Sequence, residues 1–330
     1  MKSTLKYFSI AFFVLHSFTV TAQVKWINVD ADFQPLPEGF HVYSTHDSLN
    51  GSPFIAYYAE AVLKNKSLDF TADTVRDRRL TPKQFYERDN KPLLLVNCSF
   101  FSYETNRSLN TVIKEGKLIG FNHHTIPMKG KDTFQYKHPF FGAIGIDKKR
   151  NADVVWVYND SATKKVLYSE TAFSAVKDSD LVINFKKIRA QFLQSNKTEF
   201  PFTKWKVQTA VGGGPVLLQN GQVKISNNEE LKFNGKAIDD KHPRTCIGYT
   251  KDGRLIVMVI TGRYKGIAEG ASLTQEAQLL KDLGCEEALN LDGGGSSCML
   301  INGKETIKPS EKGEERPVPA VFMIVDNKNN

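Results

Sequence analysis

The sequence predicts an α+β protein, a β-rich single domain with several hairpins, mixed sheets and a few flanking helices. Three observations carry that prediction. Hairpin signals recur at short spacing, one segment alone has a helical pattern with both caps, and no Pro- or Ser-rich linker divides the 330 residues.

Taken in order, the chain opens with Lys2 and Lys6 before an apolar run, "YFSIAFFVLHSF", and then the small residues of "TVTAQ". This is the pattern of a cleaved export signal, with cleavage expected after Ala22. The run is too short to span a bilayer comfortably, and no later stretch is apolar enough to span. The protein is therefore expected to be exported, periplasmic or secreted, with residues 23–90 as an N-terminal extension packed on a main domain of residues 91–330.

Within the extension, "SPFIAYYAEAVLKNK" from Ser52 is a candidate helix, and Pro82 in "TPKQFYER" fits a helix start. "VIKEGKLIG", "VLLQNGQVKI", "YTKDGRLIVMVI" and "MLINGKETI" each place Glu, Asn or Asp before Gly between apolar runs, the mark of a β-hairpin. "FFGAIGID" and "ADVVWVYND" add strands, and "SETAFSAVKDSDLV" from Ser169 is a weaker helix candidate. The best helix is "SLTQEAQLLKDLG", with Ser272 and Gln275 as a capping box and Gly284 past its end. Two segments look alike, "GGGPVLLQNGQVKI" from Gly212 and "GGGSSCMLINGKETI" from Gly293, and would form equivalent hairpins.

Composition limits the function classes. The formal charge is +8, but the lysines are scattered near turns, and no zinc-finger, homeodomain or RNP-like pattern occurs, so no nucleic-acid partner is expected. Cys98, Cys246, Cys285 and Cys298 form no C-x-x-C pair. One or two disulfides and four buried thiols are both open to an exported chain. The histidines show no metal spacing. No cofactor is required by any motif; structural Ca²⁺ has no short signature and is not indicated.

On a helical wheel Leu273, Ala277, Leu280 and Leu283 form an apolar stripe that contains Glu276. A carboxylate on the core side is unfavourable unless paired or lining a cavity, and burial would raise its pKa into the range of a general acid or base. The strand "EEALNLD" follows within a few residues, which keeps Asp292 near Glu276 and puts Asn290 and Asp292 on one face. Gly293, Gly294 and Gly295 then suit either a tight turn or a backbone that approaches an anion. Arg244 precedes one strand and Arg263 ends the next, so a hairpin would bring the two guanidinium groups together. Asn97, ending the apolar strand of "LLLVNCSFF", offers donor and acceptor, with Phe100 and Phe101 as a wall.

"VNCSFF", "HPRTCIG", "SLTQEAQLL" and "NLDGGGSS", in this order, resemble the phosphodiester glycosidase family, over roughly Lys91 to Asp326. "RPVPAVFMIV", opening with Arg316, resembles its closing strand. The resemblance implies hydrolysis of the glycosidic C–O bond of a sugar-1-phosphodiester of the N-acetylglucosamine type. It implies that Asn97, Arg244, Thr245, Thr274, Glu276, Asp292, Gly294 and Gly295 line one cavity. Glu276 and Asp292 would serve the anomeric carbon, Arg244 would clamp the phosphate, and the Gly294, Gly295 and Ser296 amides would cradle it. The substrate partner would be a phosphodiester-linked glycan. The family usually has glycines after the Asn, where this chain has Cys98 and Ser99, and a glycine where it has Ser272. The alternatives are a non-catalytic glycan-binding protein and an enzyme that processes exopolysaccharide.

Overall fold

Turn chemistry sets the architecture. The Glu115–Gly116, Asn220–Gly221 and Asn302–Gly303 pairs all have both φ angles positive, the conformation that folds two strands back on each other with matching twist. The computed structural model describes residues 24–160, 162–196, 199–311 and 313–328. The expected export signal lies outside the described residues.

Along the chain the principal strands are β1 (Phe40–Leu49), β2 (Ser52–Val62), β3 (Leu68–Thr74), β4 (Leu94–Asn97), β5 (Val112–Lys114), β6 (Lys117–Gly120), β7 (Phe141–Ile146), β8 (Ala152–Asp160) and β9 (Lys165–Ser169). They continue as β10 (Thr209–Gly212), β11 (Val216–Gln219), β12 (Arg244–Thr250), β13 (Arg254–Ile260), β14 (Cys285–Asn290), β15 (Met299–Ile301) and β16 (Ala320–Asp326). The helices are α1 (Pro82–Arg88), α2 (Phe185–Asn196), α3 (Asn227–Glu230) and α4 (Leu273–Asp282).

The largest sheet runs β1-β2-β13-β12-β14-β11, with a two-residue strand at each edge. A second contains β9-β8-β7-β10-β5-β6, and a third β15-β4-β16-β3. Ile126–Pro127, Tyr136–His138 and Val176–Asp178 form a small fourth sheet. Every strand pairing among the described residues is antiparallel, so the sheets are not mixed as the sequence suggested.

Two helix expectations are corrected. Residues 52–62 form β2, paired with β13 over seven positions from Arg254↔Val62 to Ile260↔Ala56. Residues 169–182 contain the end of β9 and the strand Val176–Asp178. Residues 27–74 enter the sheets directly, through β1, β2 and β3. The two glycine-triplet hairpins fall in different sheets, Val216–Gln219 in the first and Met299–Ile301 in the third.

One face of the largest sheet packs against α4, burying Cys246, Ile256, Met258, Ile260, Leu273, Ala277, Leu280 and Ala288. Its other face, with Ile247, Val257, Val259, Leu289 and Leu291, joins the main core shared with the second and third sheets. Strand alternation thus separates Arg244 and Cys246, on the α4 side, from Thr245 and Ile247.

Candidate active site

The candidate site forms where β4 and β14 end and β12 begins. Asn97, the last residue of β4, is completely buried. Its Oδ1 accepts hydrogen bonds from Thr245 Oγ1 at 2.9 Å and from the Cys298 amide at 3.1 Å. Its Nδ2 donates to the Asp292 carbonyl at 2.5 Å, while the Asp292 amide donates to the Cys98 carbonyl at 2.8 Å. Asn97 and Thr245 therefore hold the backbone that carries Asp292, and both the donor and the acceptor of the Asn97 side chain are already engaged.

Glu276 comes from α4, whose start is fixed by the reciprocal Ser272–Gln275 capping box. Its carboxyl is fully buried, and among the described residues no N–H or O–H donates to either oxygen, the neighbouring donor being the Cys246 thiol. Burial pushes its pKa up to about 7, against the opposing pull of the Arg244 charge and the neighbouring Cys246 thiol. Arg244 is itself buried, with Nε donating to the Ala271 carbonyl and Nη2 to the Asp240 carbonyl, both at 2.9 Å. Its guanidinium lies 5.9 Å from the Phe233 ring centre. Two backbone carbonyls thus fix the cation beside Glu276.

Asp292 follows β14. Burial raises its pKa to about 6, opposed by Ser296, the charges of Arg316 and Lys232, and the Gly293 amide. Its Oδ2 has no hydrogen-bond partner. Asn290 Oδ1, Ser297 Oγ, His242 Nδ1 and Thr261 Oγ1 are likewise buried and have no hydrogen-bond partner among the described residues. Buried polar atoms without partners are uncommon and destabilising, so the oxygens of Glu276 and Asp292 Oδ2 are the atoms here best suited to meet a polar ligand.

The glycine turn differs from the expected cradle. The Gly294 amide donates to the Pro243 carbonyl at 2.8 Å and the Ser296 amide to the Gly293 carbonyl at 3.2 Å. Of the three amides only that of Gly295 has no backbone partner. The glycines serve close packing instead. A side chain on Gly294 would come within 2.9 Å of the Arg263 guanidinium, and one on Gly295 would overlap Arg316 and meet Glu311 at 2.6 Å. Arg263 and Arg316 thus lie over the turn, with Arg316 ion-paired to Glu311.

Thr274 is not brought in: it is exposed, two residues and roughly 200° around the helix from the buried Glu276. Lys232 adjoins Asp292 without a motif to announce it, whereas His242 and Ser297 lie within the "HPRTCIG" and "NLDGGGSS" stretches, which assign them no role. All four cysteines are buried free thiols. Among the described residues no group of three or more His, Cys, Asp and Glu side chains is placed to hold a metal ion. A cavity of about 1080 Å³ lies apart, lined by residues of 102–109 and 118–123 together with Arg76 and Lys164, and neither Glu276 nor Asp292 lines it.

The model of the phosphodiester glycosidase family matches residues 142–325. Mouse N-acetylglucosamine-1-phosphodiester alpha-N-acetylglucosaminidase is 27% identical over 103 residues, which is 29% of this chain and 20% of that enzyme. The match thus spans about a fifth of the mouse enzyme's length. The catalytic domain of the zebrafish enzyme of the same name, solved in a form auto-inhibited by its pro-peptide, superposes with a TM-score of 0.56 at 18% identity, covering 92% of this chain and 89% of that one. An exported protein from Burkholderia pseudomallei superposes with a TM-score of 0.55 at 15% identity, covering 86% of this chain and 75% of that one. At such identities the superpositions establish the fold. Because the family model spans more than half of the sequence, including β12, α4, β14 and the glycine turn, the chain belongs to the phosphodiester glycosidase family.

Proposed function

We propose that the protein is an exported hydrolase that cleaves the glycosidic C–O bond of a sugar-1-phosphodiester, with N-acetylglucosamine as the model sugar. The observation that carries this reading is the pair of buried carboxyl groups, Glu276 and Asp292, with unpartnered oxygens and a cation beside each. Family membership supplies the substrate class, and the relatives' names supply the sugar.

Asp292, beside Ser296, Arg316 and Lys232, carries the negative charge that faces the anomeric carbon as the bond breaks. Glu276, with the higher pKa, takes a proton from the attacking water. The C–O electrons leave with the phosphate monoester, which is a weak base and needs charge stabilisation more than protonation. Arg244, held by two carbonyls, keeps part of Glu276 ionised near neutral pH and presents its remaining Nη1 to the substrate. Export accords with the leader-like first residues and with the fold of the Burkholderia protein. Among the described residues no helix is long and apolar enough to cross a membrane.

The test is hydrolysis of an N-acetylglucosamine–phosphate–mannose diester in ¹⁸O-labelled water with EDTA present. Label in the released N-acetylglucosamine is the expected result. Label in the phosphate would mean P–O cleavage and would remove the sugar-facing roles of both carboxyl groups.

A further inference from the structure

Lys232 is the one basic residue of the site that no sequence motif marks. It follows Leu231, whose left-handed backbone (φ 53°) ends α3 and turns the chain back toward the site. The Nζ lies 4.3 Å from the centre of the Phe100 ring and 4.1 Å from that of Phe141. Two aromatic faces hold the ammonium without offering any of its three N–H donors an acceptor oxygen.

The nearest acid in sequence, Glu230, acts on it through charge, more strongly than Asp292 does, but accepts no hydrogen bond from it. Glu230 is fully buried, and its two oxygens accept from the Gly142 and Val216 amides, Trp156 Nε1 and Ser226 Oγ. No ion pair within 4.0 Å joins Glu230 to Lys232. The first glycine triplet makes room for the lysine: a side chain on Gly214 would approach Lys232 Cε to 2.7 Å. The Gly214 amide in turn donates to the Asn290 carbonyl at 2.7 Å, and the next turn of chain carries Asp292. Lys232 and Asp292 therefore lie near enough for each to feel the other's charge, and Asp292 Oδ2 has no hydrogen-bond partner among the described residues.

We propose that Lys232 receives the anionic oxygens of the substrate's phosphodiester, its ammonium presented from between Phe100 and Phe141 beside Asp292. Three N–H donors with no acceptor oxygen among the described residues match the two non-bridging oxygens of a phosphodiester, and a neutral sugar would leave them unpaired. Arg316, the other cation beside Asp292, is already neutralised by Glu311, and Arg244 has two of its nitrogens engaged by carbonyls. This inference rests on the phosphodiester reading given above and assigns the residue that recognises the anion.

The experiment compares the wild-type chain with Lys232→Met, Lys232→Gln and Lys232→Arg, each checked for a cooperative thermal transition. Calorimetric titration with dimethyl phosphate and with inorganic phosphate measures anion binding directly. Steady-state kinetics compare a sugar-1-phosphodiester with a neutral nitrophenyl glycoside of the same sugar. Affinity for both anions should fall by about tenfold or more in Lys232→Met and Lys232→Gln and be largely kept in Lys232→Arg. KM for the diester should rise by a similar factor, and kcat/KM for the diester should fall further than that for the neutral glycoside.

Wild-type anion affinities matched within about twofold by the neutral variants would overturn the assignment, as would no anion binding to the wild type at about 10 mM. Loss of folding in both neutral variants would also overturn it, by making Lys232 a structural partner of the two rings. If no sugar phosphodiester is turned over, the catalytic reading fails while the anion titrations still decide the role of Lys232.

Discussion

Asn97 donates a hydrogen bond from its side-chain amide to the carbonyl of Asp292, across 195 positions of sequence. The same side chain accepts from Thr245 and from the Cys298 amide, so a single residue joins β4 to β12, to the glycine turn and to the start of β15. Its role is to position Asp292. Asn97→Ala leaves three buried groups without a partner and should lower the unfolding free energy by about 3 kcal/mol. Urea denaturation checks this, and a change below about 0.5 kcal/mol would mean that the turn is held from elsewhere.

Glu276 makes stability and activity oppose each other. Burial lifts its carboxyl from 4.5 to about 7, so the folded protein keeps this proton where the unfolded chain has released it. The stability it contributes is full below about pH 4.5 and is lost as pH rises through about 7. Asp292, raised from 3.8 to about 6, acts with the same sign over a lower window. Glu276→Gln removes the first of these dependences. It should abolish turnover while becoming more stable than wild type by about 2–3 kcal/mol near pH 7.5, with the advantage vanishing toward pH 4. Denaturation series at those two pH values measure it.

Arg244 acts on Glu276 through charge. Removing a nearby cation makes ionisation harder, so Arg244→Met should move the Glu276 limb of the pH–rate profile to higher pH by about one unit or more. The Ala271 and Asp240 carbonyls also lose their donor, and a fall in melting temperature should accompany the shift. An unmoved limb in a folded variant would separate Arg244 from the ionisation of Glu276.

Gly213 tests how closely the first glycine triplet must approach β14. A methyl group there would overlap the Asn290 carbonyl and lie 3.1 Å from Leu291 Cα, contacts with backbone that cannot swing aside. Gly213→Ala should therefore destabilise the fold by about 3 kcal/mol or more. Gly266→Ala is the control: its φ is +72° but nothing lies within 4 Å, so only the left-handed backbone penalty of about 1–2 kcal/mol applies. Equal losses in the two variants would mean that close packing contributes nothing at Gly213.

Local chemistry was legible in the sequence where it is self-sufficient. An Asn–Gly pair between apolar runs can do little but turn, and a carboxylate inside an apolar helical stripe must be buried; both readings hold at Asn220–Gly221 and at Glu276. Residues 52–62 mislead because their alanines, Glu60 and following lysines favour a helix, whereas pairing with β1 and β13 decides the outcome. The signal that identifies them is Asn50–Gly51, with φ of 51° and 78°, which closes the β1–β2 hairpin. Thr274 misleads because a residue two places from Glu276 in a helix faces away from it. Lys232 is invisible because its partners, Phe100 and Phe141, come from two distant segments, and no spacing along the chain records that meeting.

The pairing of β13 with β2, and of β16 with both β3 and β4, separates the stretch that identifies the family from the unit that folds. A fragment cut to residues 142–325 would keep Glu276 and Asp292 yet lack Asn97 and expose two apolar strand edges, open to other chains. During synthesis the earliest strands must wait for β13 and β16, which emerge roughly 200 and 250 residues later, and such late pairing makes folding slow. A chain of this order gains from finishing synthesis before it folds, as it would if threaded unfolded across a membrane.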